Sequence, residues 1–386
     1  MKLARPLLAS FAALLFAATA HAKEVGHFLV RLGTDTTAVE SYTRTDAQVD
    51  VDQVGRAPRV LRRHFVYDLT KGDLSHFSMV VTAPGATAPT QTIEVGFAGD
   101  SMMMKIKTGT NEPRDVHMAW PAGTLALALS SPWVVYEGQT MKLARSKSDS
   151  LTAPLYYLGG DGIGWLRLSR LGRDSVAIIN SHDDVFHAQV DKEGRLLGVL
   201  PVAGTGKFSV QRMKELDTDA YLTSFAAEEK QGAGLGTLSP RDTVNVSNAG
   251  GATLWIDYGR PGKRGRVIFG DVVPYGAVWR TGANAATQFK TDKALNFGGI
   301  LVPAGFYTLW TIPTAAGWKL VINSETGQWG TAHNAAKDLY TIDMKVSTLP
   351  QSSERFTISV ETNAQGGALN LDWDTTRASA AFTTQP

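Results

Sequence analysis

The chain has 386 residues, a formal charge of +2 and no cysteine, with 43% hydrophobic and 19% charged residues. Without cysteine there is no disulfide, no thiolate metal site, no cysteine nucleophile and no lipidated N-terminal cysteine, so the fold must rest on packing alone. The near-balance of charge excludes the basic footprint that non-specific nucleic-acid binding needs.

Residues 1–22 read as a secretory signal. Lys2 and Arg5 form a positive start, Leu7 to Thr19 is an apolar run too short to span a bilayer, and Ala20-His21-Ala22 is a small-x-small cleavage site. Cleavage before Lys23 takes the formal charge from +2 to 0. The expectation is an exported, periplasmic or secreted, soluble protein with no transmembrane segment in the mature chain. A length of about 360 residues after cleavage favours two domains.

From Lys23 to Lys230 the pattern is of short strands. Phe28–Leu32, His76–Val81 and Val176–Ile179 are apolar or alternating runs bounded by Gly, Asp, Asn and Pro. Two hairpins are predicted: one flanks Asp68–Asp73, and the other turns at Asp191–Gly194 between His187 and Val199. Met102 and Met104 fall on one face of a strand, so Met102-Met-Met104 reads as a core or ligand-lining strand rather than a copper site. Helical pattern is scarce; Ser209 is placed as the cap of a short helix through Arg212 to Leu216. The antiparallel succession predicts a meander or half-barrel. In pattern alone it resembles periplasmic half-barrel carriers of hydrophobic ligands.

Glu228 to Ser239 is polar and glycine-rich and is predicted as a flexible connection. The chain is divided accordingly into 1–22, a β-rich domain at 23–230, and a linker with a second β domain at 231–386. The whole is mainly β. Leu254–Tyr258, Phe306–Trp310, Phe356–Val360 and Leu369–Trp373 supply strands of the second domain.

This second part carries the densest motifs. Ser239-Pro-Arg-Asp-Thr-Val244 opens it. Tyr258-Gly-Arg-Pro-Gly-Lys-Arg-Gly-Arg-Val-Ile-Phe-Gly270 and Pro274-Tyr-Gly-Ala-Val-Trp-Arg-Thr-Gly-Ala-Asn284 follow. Val302-Pro-Ala-Gly-Phe-Tyr-Thr-Leu-Trp310, Trp318-Lys-Leu-Val-Ile-Asn323 and Gly327-Gln-Trp-Gly330 complete the series. In order and spacing these resemble the bacterial domain of unknown function 2911 family, from Leu238 to the C-terminal region. The resemblance implies a compact β-sandwich-like domain. It implies no agreed activity, so no catalytic residue is carried over.

Two readings of the motifs stay open. In the structural one, glycines make tight turns, Trp255, Trp279, Trp310, Trp318 and Trp329 fill the core, and Arg280 pairs with Asp257 or Asp271. In the functional one, Arg260, Lys263, Arg264, Arg266 and Arg280 draw an anion to one concavity, since the guanidinium fork suits carboxylate or phosphate. Asn284 and exposed tryptophan faces then suit a sugar or another flat ligand. The ligand-binding candidates are Tyr258, Arg260, Arg266, Trp279, Arg280 and Asn284. His182, Asp184 and His187 are weak metal candidates. A span of five residues puts the two histidines on opposite faces of a continuous strand, and a polar hairpin turn with two solvent-facing histidines is the favoured reading. No metal site and no cofactor is assigned.

No G-x-S-x-G, H-E-x-x-H or P-loop motif is present, and Gly204-Thr-Gly-Lys207 lacks the flanking residues of a phosphate loop. Catalytic residues are therefore unassigned, and the sequence does not decide whether the protein is an enzyme. The leading expectation is binding of a small, apolar or amphiphilic, lipid-like ligand or an envelope partner. The alternatives are a periplasmic hydrolase with a non-motif active site, which a histidine near a Ser or Asp in a cleft would favour, and a structural envelope scaffold, which a large exposed apolar patch without a pocket would favour.

Overall fold

The computed structural model describes residues 23–127, 132–158, 160 and 162–384. The signal-like segment lies outside them. Two sheets account for most of the chain. The first contains β1 (Glu24–Leu32), β2 (Asp35–Arg44), β3 (Gln48–Gly55), β4 (Leu61–Thr70), β5 (Asp73–Thr82), β6 (Gln91–Ala98), β7 (Ser101–Thr108), β8 (Arg114–Ala119) and β9 (Leu125–Leu127). After helix α1 (Trp133–Arg145) come β10 (Ser150–Tyr157), β11 (Gly164–Arg170), β12 (Ser175–Asn180), β13 (Val185–Val190), β14 (Leu196–Ala203) and β15 (Ser209–Met213). Helix α2 (Thr218–Lys230) leads to the second sheet.

Chain order fixes the shape of the first sheet. Its fifteen strands run β8-β7-β6-β5-β4-β3-β2-β1-β15-β14-β13-β12-β11-β10-β9. Laid flat, they would span about 70 Å at the usual strand spacing. The outermost strands β8 and β9 are joined only by Trp120–Thr124, which reaches at most about 18 Å. The sheet must therefore curl until its edges approach. Trp120 bridges the seam, with its ring 5.0 Å from Phe97 and 5.9 Å from Tyr156.

The concave face collects one apolar core from Phe28 on β1 to Val210 on β15. α1 lies inside the curl. It is the crossover that the parallel pair β9–β10 requires, and its Trp133, Val134, Tyr136 and Leu143 belong to the same core. A buried carboxylate holds the helix in place. Glu137 is fully buried, takes hydrogen bonds from Arg44 Nη2 at 3.0 Å and Leu196 N at 2.8 Å, and is paired with Arg212 and Tyr42. α2 covers the convex face, where Phe225 packs with Leu29, Val39, Val54 and Val60.

Both expected hairpins form: β4 meets β5 across Lys71–Gly72, and β13 meets β14 across Asp191–Gly194. Met102 and Met104 are buried on β7, and Met103 between them is exposed. Three expectations are corrected. Ser209 to Met213 is the strand β15, drawn into the sheet by pairing with β1, and the helix starts later, capped by Asp217, which accepts from the backbone N–H of Asp219 and Ala220. Glu228–Lys230 belong to that helix rather than to a loose connection, and Glu228 pairs with Arg56. The concave face is also no open apolar cradle, because α1 and the strands' own side chains pack into one core there, and a cavity opens at its mouth.

The second sheet contains β16 (Arg241–Ala249), β17 (Ala252–Gly259), β18 (Thr287–Thr291), β19 (Leu295–Phe297), β20 (Ile300–Val302), β21 (Gly305–Pro313), β22 (Trp318–Asn323), β23 (Asp338–Asn363) and β24 (Gly366–Thr384). Their order is β16-β17-β18-β21-β22-β23-β24-β19-β20. β23 pairs with β22 through its first residues and with β24 thereafter. Register shifts near Thr348, Ser353 and Thr357 bend the long hairpin. The bend folds one end of the sheet over the other, as expected for a sandwich-like domain. An aromatic cluster fills the space between, with Trp279 stacked on Trp373 at 5.9 Å and Phe356 5.0 Å from Trp279.

The two sheets touch at the β1–β2 turn. Thr34 N donates to Arg264 O at 3.0 Å, and Asp35 pairs with the buried Arg264. Gly33, at φ +62°, allows the approach, because a Cβ there would lie 2.1 Å from Arg264 O.

Candidate functional site

A cavity of about 1170 Å³ opens between the mouth of the curled sheet and the loops of the second sheet. The period-two register of the first sheet explains its floor. Glu40 on β2, Gln53 on β3 and Arg63 on β4 are successive cross-strand partners, so all three point to the concave face. Glu40 and Gln53 are buried. Glu40 accepts from Gln53 Nε2 at 3.0 Å and from Trp133 N at 2.8 Å. Burial raises its carboxyl to about 8, against the pull of those two hydrogen bonds. Arg63 is half-buried. Desolvation lowers its pKa, its Nη1 is buried without a partner, and no carboxylate pairs with it.

The walls bring three further cations. Lys207 ends the Gly204–Lys207 loop. That loop cradles no phosphate: its Thr205 and Gly206 N–H groups each donate to Asp184 Oδ1 at 2.7 Å. Burial lowers the Lys207 pKa, and Arg280 and Arg266 push it the same way while Asp184 opposes them. Arg266 donates through Nε to Lys263 O at 3.0 Å and through Nη2 to Gly262 O at 2.5 Å. Burial lowers its pKa as well.

Arg280 is the most strongly affected. Burial brings it down to about 10, partly countered by Asp184, and its Nε is buried with no partner. The stem lies across Gly330, where a Cβ would sit 2.0 Å from Arg280 Cδ. The loop that presents Arg280 is strained. Thr281 has φ +53° and Asn284 φ +62°, and a β-branched residue in that region is an outlier that the surroundings must hold in place. Thr281 is fully buried, and its carbonyl accepts from Thr287 Oγ1 at 2.7 Å.

The same cavity is lined by Trp279, Trp329, Asn284 and His333. His333 Nε2 lies 2.9 Å from Asp338 Oδ1, and its ring sits 4.7 Å from that of Trp310.

Of the sequence candidates, Arg266, Trp279, Arg280 and Asn284 meet on this cavity. Tyr258 does not. β17 turns it into the inter-layer core, where its hydroxyl accepts from Ile358 N at 3.0 Å. Arg260 is held away from the cavity by Asp242 at 2.9 Å, Phe356 O and Thr357 Oγ1. The alternative pairing of Arg280 with Asp257 or Asp271 is not formed; Asp257 is taken by Arg241. His182 and His187 are exposed, and Asp184 is tied to the 204–206 loop. Among the described residues no three His, Asp or Glu side chains gather closely enough to hold a metal. Arg63, Lys207, Glu40 and His333 are site residues that the motifs did not reveal.

The stretch that carries Arg266, Arg280, Asn284 and His333 also decides the comparison with known proteins. Residues 239–382 match the family described as protein of unknown function, DUF2911. The DUF2911 segment thus supplies the second sheet, while the floor of the cavity comes from outside it. Two solved structures resemble the chain more distantly. A DUF1089 family protein from Pseudomonas aeruginosa shares 14% identity at a TM-score of 0.33, covering 54% of this chain and 100% of its own. A β-barrel-like protein of domain of unknown function DUF1849 from Brucella abortus shares 10% identity at a TM-score of 0.31, covering 49% of this chain and 95% of its own. Likenesses this weak carry no argument about function. No curated protein matches the chain. No helix among the described residues is long and apolar enough to cross a membrane.

Proposed function

We propose that the protein acts outside the cytoplasm by binding a small anionic amphiphile in the cavity between its two sheets. One observation carries this reading: Arg63, Lys207, Arg266 and Arg280 line a single cavity, and none of them is in an ion pair with another described residue. Charged groups are rarely held half-buried without compensation, because desolvation costs them several kcal/mol. They face three lining carboxyls, of which Glu40 keeps its proton to about pH 8. A carboxylate or phosphate head would replace the missing partner. The apolar remainder fits beside Val30, Trp133, Phe186 and Phe208 at the sheet mouth. The volume is ample for a ligand of ordinary size. A cavity of this kind favours the binding reading over a scaffold, for which a pocketless apolar patch was the expected sign.

The test is titration with a fluorescent fatty acid, its alkyl phosphate counterpart and the neutral alcohol. The two anions should bind and the alcohol should not, and K207M and R280M should each weaken binding by about 10-fold or more. Equal affinity for the alcohol, or unchanged affinity in both variants, would remove the proposal.

A further inference from the structure

We propose that His333, backed by Asp338, is a general base that hydrolyses a carboxylic ester of the anionic amphiphile held in this cavity. The inference rests on the binding reading above and adds a reaction to it.

Four observations point to it. The carboxylate of the pair sits on a strand: Asp338 is the first residue of β23 and the register partner of Asn323, the last residue of β22, and His333 lies in the connection between these two strands. The carboxylate is fixed, since Asp338 Oδ1 also accepts from Asn323 Nδ2 at 2.7 Å. Asn323 is fully buried and donates to Asn334 O at 2.9 Å while accepting from Glu325 N at 2.9 Å. The imidazole is fixed as well, between that carboxylate and the indole of Trp310. With Nε2–H donating to Asp338, the lone pair falls on Nδ1, which has no protein partner.

Other histidines show what this one has that they lack. His64 is 3.3 Å from Asp50, and His76 is 3.2 Å from both Asp68 and Glu94, but both rings are about half exposed and neither lines the cavity. His333 alone among the carboxylate-paired histidines of the described residues shares a cavity with unpaired arginines. Asn284 lines the same wall. Its backbone is held left-handed while its carbonyl accepts from Gly330 N at 3.0 Å, and its side-chain amide makes no hydrogen bond to the protein.

The chemistry balances without a cofactor. His333 Nδ1 takes a proton from water as the water oxygen bonds to the ester carbonyl carbon. The carbonyl electron pair moves to its oxygen, which the Asn284 amide receives as a hydrogen-bond donor. The tetrahedral species then expels the alcohol oxygen, which takes the proton from the imidazolium, leaving acid and alcohol. Asp338 acts through His333 and is a positioning residue.

The experiment uses the full chain, with para-nitrophenyl monoesters of dicarboxylic acids as substrates and the fluorescent fatty acid as the binding probe. Saturable turnover is expected. H333Q should lower kcat/KM by about 100-fold while leaving probe affinity within twofold. The acid limb of the wild-type pH–rate profile should vanish in that variant. D338N should lower kcat with KM unchanged, and it serves as the second variant if H333Q fails to fold. Probe binding without turnover, or turnover that survives in H333Q with its pH profile intact, overturns the catalytic proposal and leaves the binding reading standing. Absence of probe binding in the wild type overturns both.

Discussion

Replacing Arg280 with methionine should make the protein more stable while it loses affinity for anions. Burial lowers the guanidinium from 12.5 to about 10. The folded state therefore binds this proton less tightly than the unfolded chain does. Below pH 10 the cation is present in both states, and its full desolvation cost is charged to the fold; the cost disappears only as pH rises from about 10 toward 12.5. At 1.36 kcal/mol per unit, about 2.5 units correspond to roughly 3 kcal/mol, and partial exposure trims this to about 2 kcal/mol. Methionine keeps the stem that crosses Gly330 and leaves the charge out. Urea denaturation at neutral pH, read as a midpoint shift at constant slope, is the assay. If R280M were less stable than the wild type by about 1 kcal/mol or more, Arg280 would be a structural cation with a compensating partner, and the argument for an unfilled anion site would collapse.

Other perturbations follow from the same geometry. G330A would drive a Cβ into Arg280 Cδ and Asn284 O, 2.0 Å and 2.3 Å away; a loss of about 1–3 kcal/mol, together with weakened anion binding, is expected in the same denaturation and titration assays. Glu40 titrates near 8 in the fold and near 4.5 when unfolded. The folded state thus holds its proton more tightly, and stability is full below pH 4.5 and declines by up to ~5 kcal/mol as pH rises to 8. E40Q should flatten that slope, which parallel pH series of urea midpoints would show; identical slopes would contradict it. D35N would leave the buried Arg264 without its partner at the contact between the sheets. A loss of about 1–2 kcal/mol is expected, with the urea transition separating into two steps.

Much of this was legible in the residues. Strand alternation placed both hairpins and the buried pair Met102 and Met104, while the sandwich-like C-terminal part was implied by the resemblance of its motifs to the DUF2911 family. The same alternation holds a further signal in two charged residues. In Leu61-Arg-Arg-His-Phe-Val-Tyr67, Arg63 occupies the apolar register with Leu61, Phe65 and Tyr67; Glu40 does the same between Ala38 and Tyr42. A charge in a core register marks either a buried network or a site. α1 was hidden for a physical reason. It is packed inside the curl, so it shows no wide polar face, and Pro132 gives it no side-chain cap. α2 does carry a cap in Asp217, while Ser209, a residue of the same capping type, opens the strand β15. Lys207 and His333 could not be found from pattern, because each depends on tertiary pairing: Asp184 of the preceding hairpin holds the loop of Lys207, and the β22–β23 pairing brings Asn323 onto Asp338 beside His333.

The curled sheet also constrains how the chain can assemble. Its first and last strands, β1 and β15, are neighbours in the middle of the sheet, with His27 opposite Met213, while its two free edges come from adjacent stretches of sequence. No partly made chain can complete this sheet, because the central pairing waits for the fifteenth strand. If the chain were cut after β15 and the second sheet left off, a permuted first sheet that joined the end of β15 to the start of β1 and opened at Trp120–Thr124 would run from β9 to β8 with every strand following its neighbour. Such a chain exchanges the most distant pairing in the sheet for a local hairpin, and it should fold faster than the natural order.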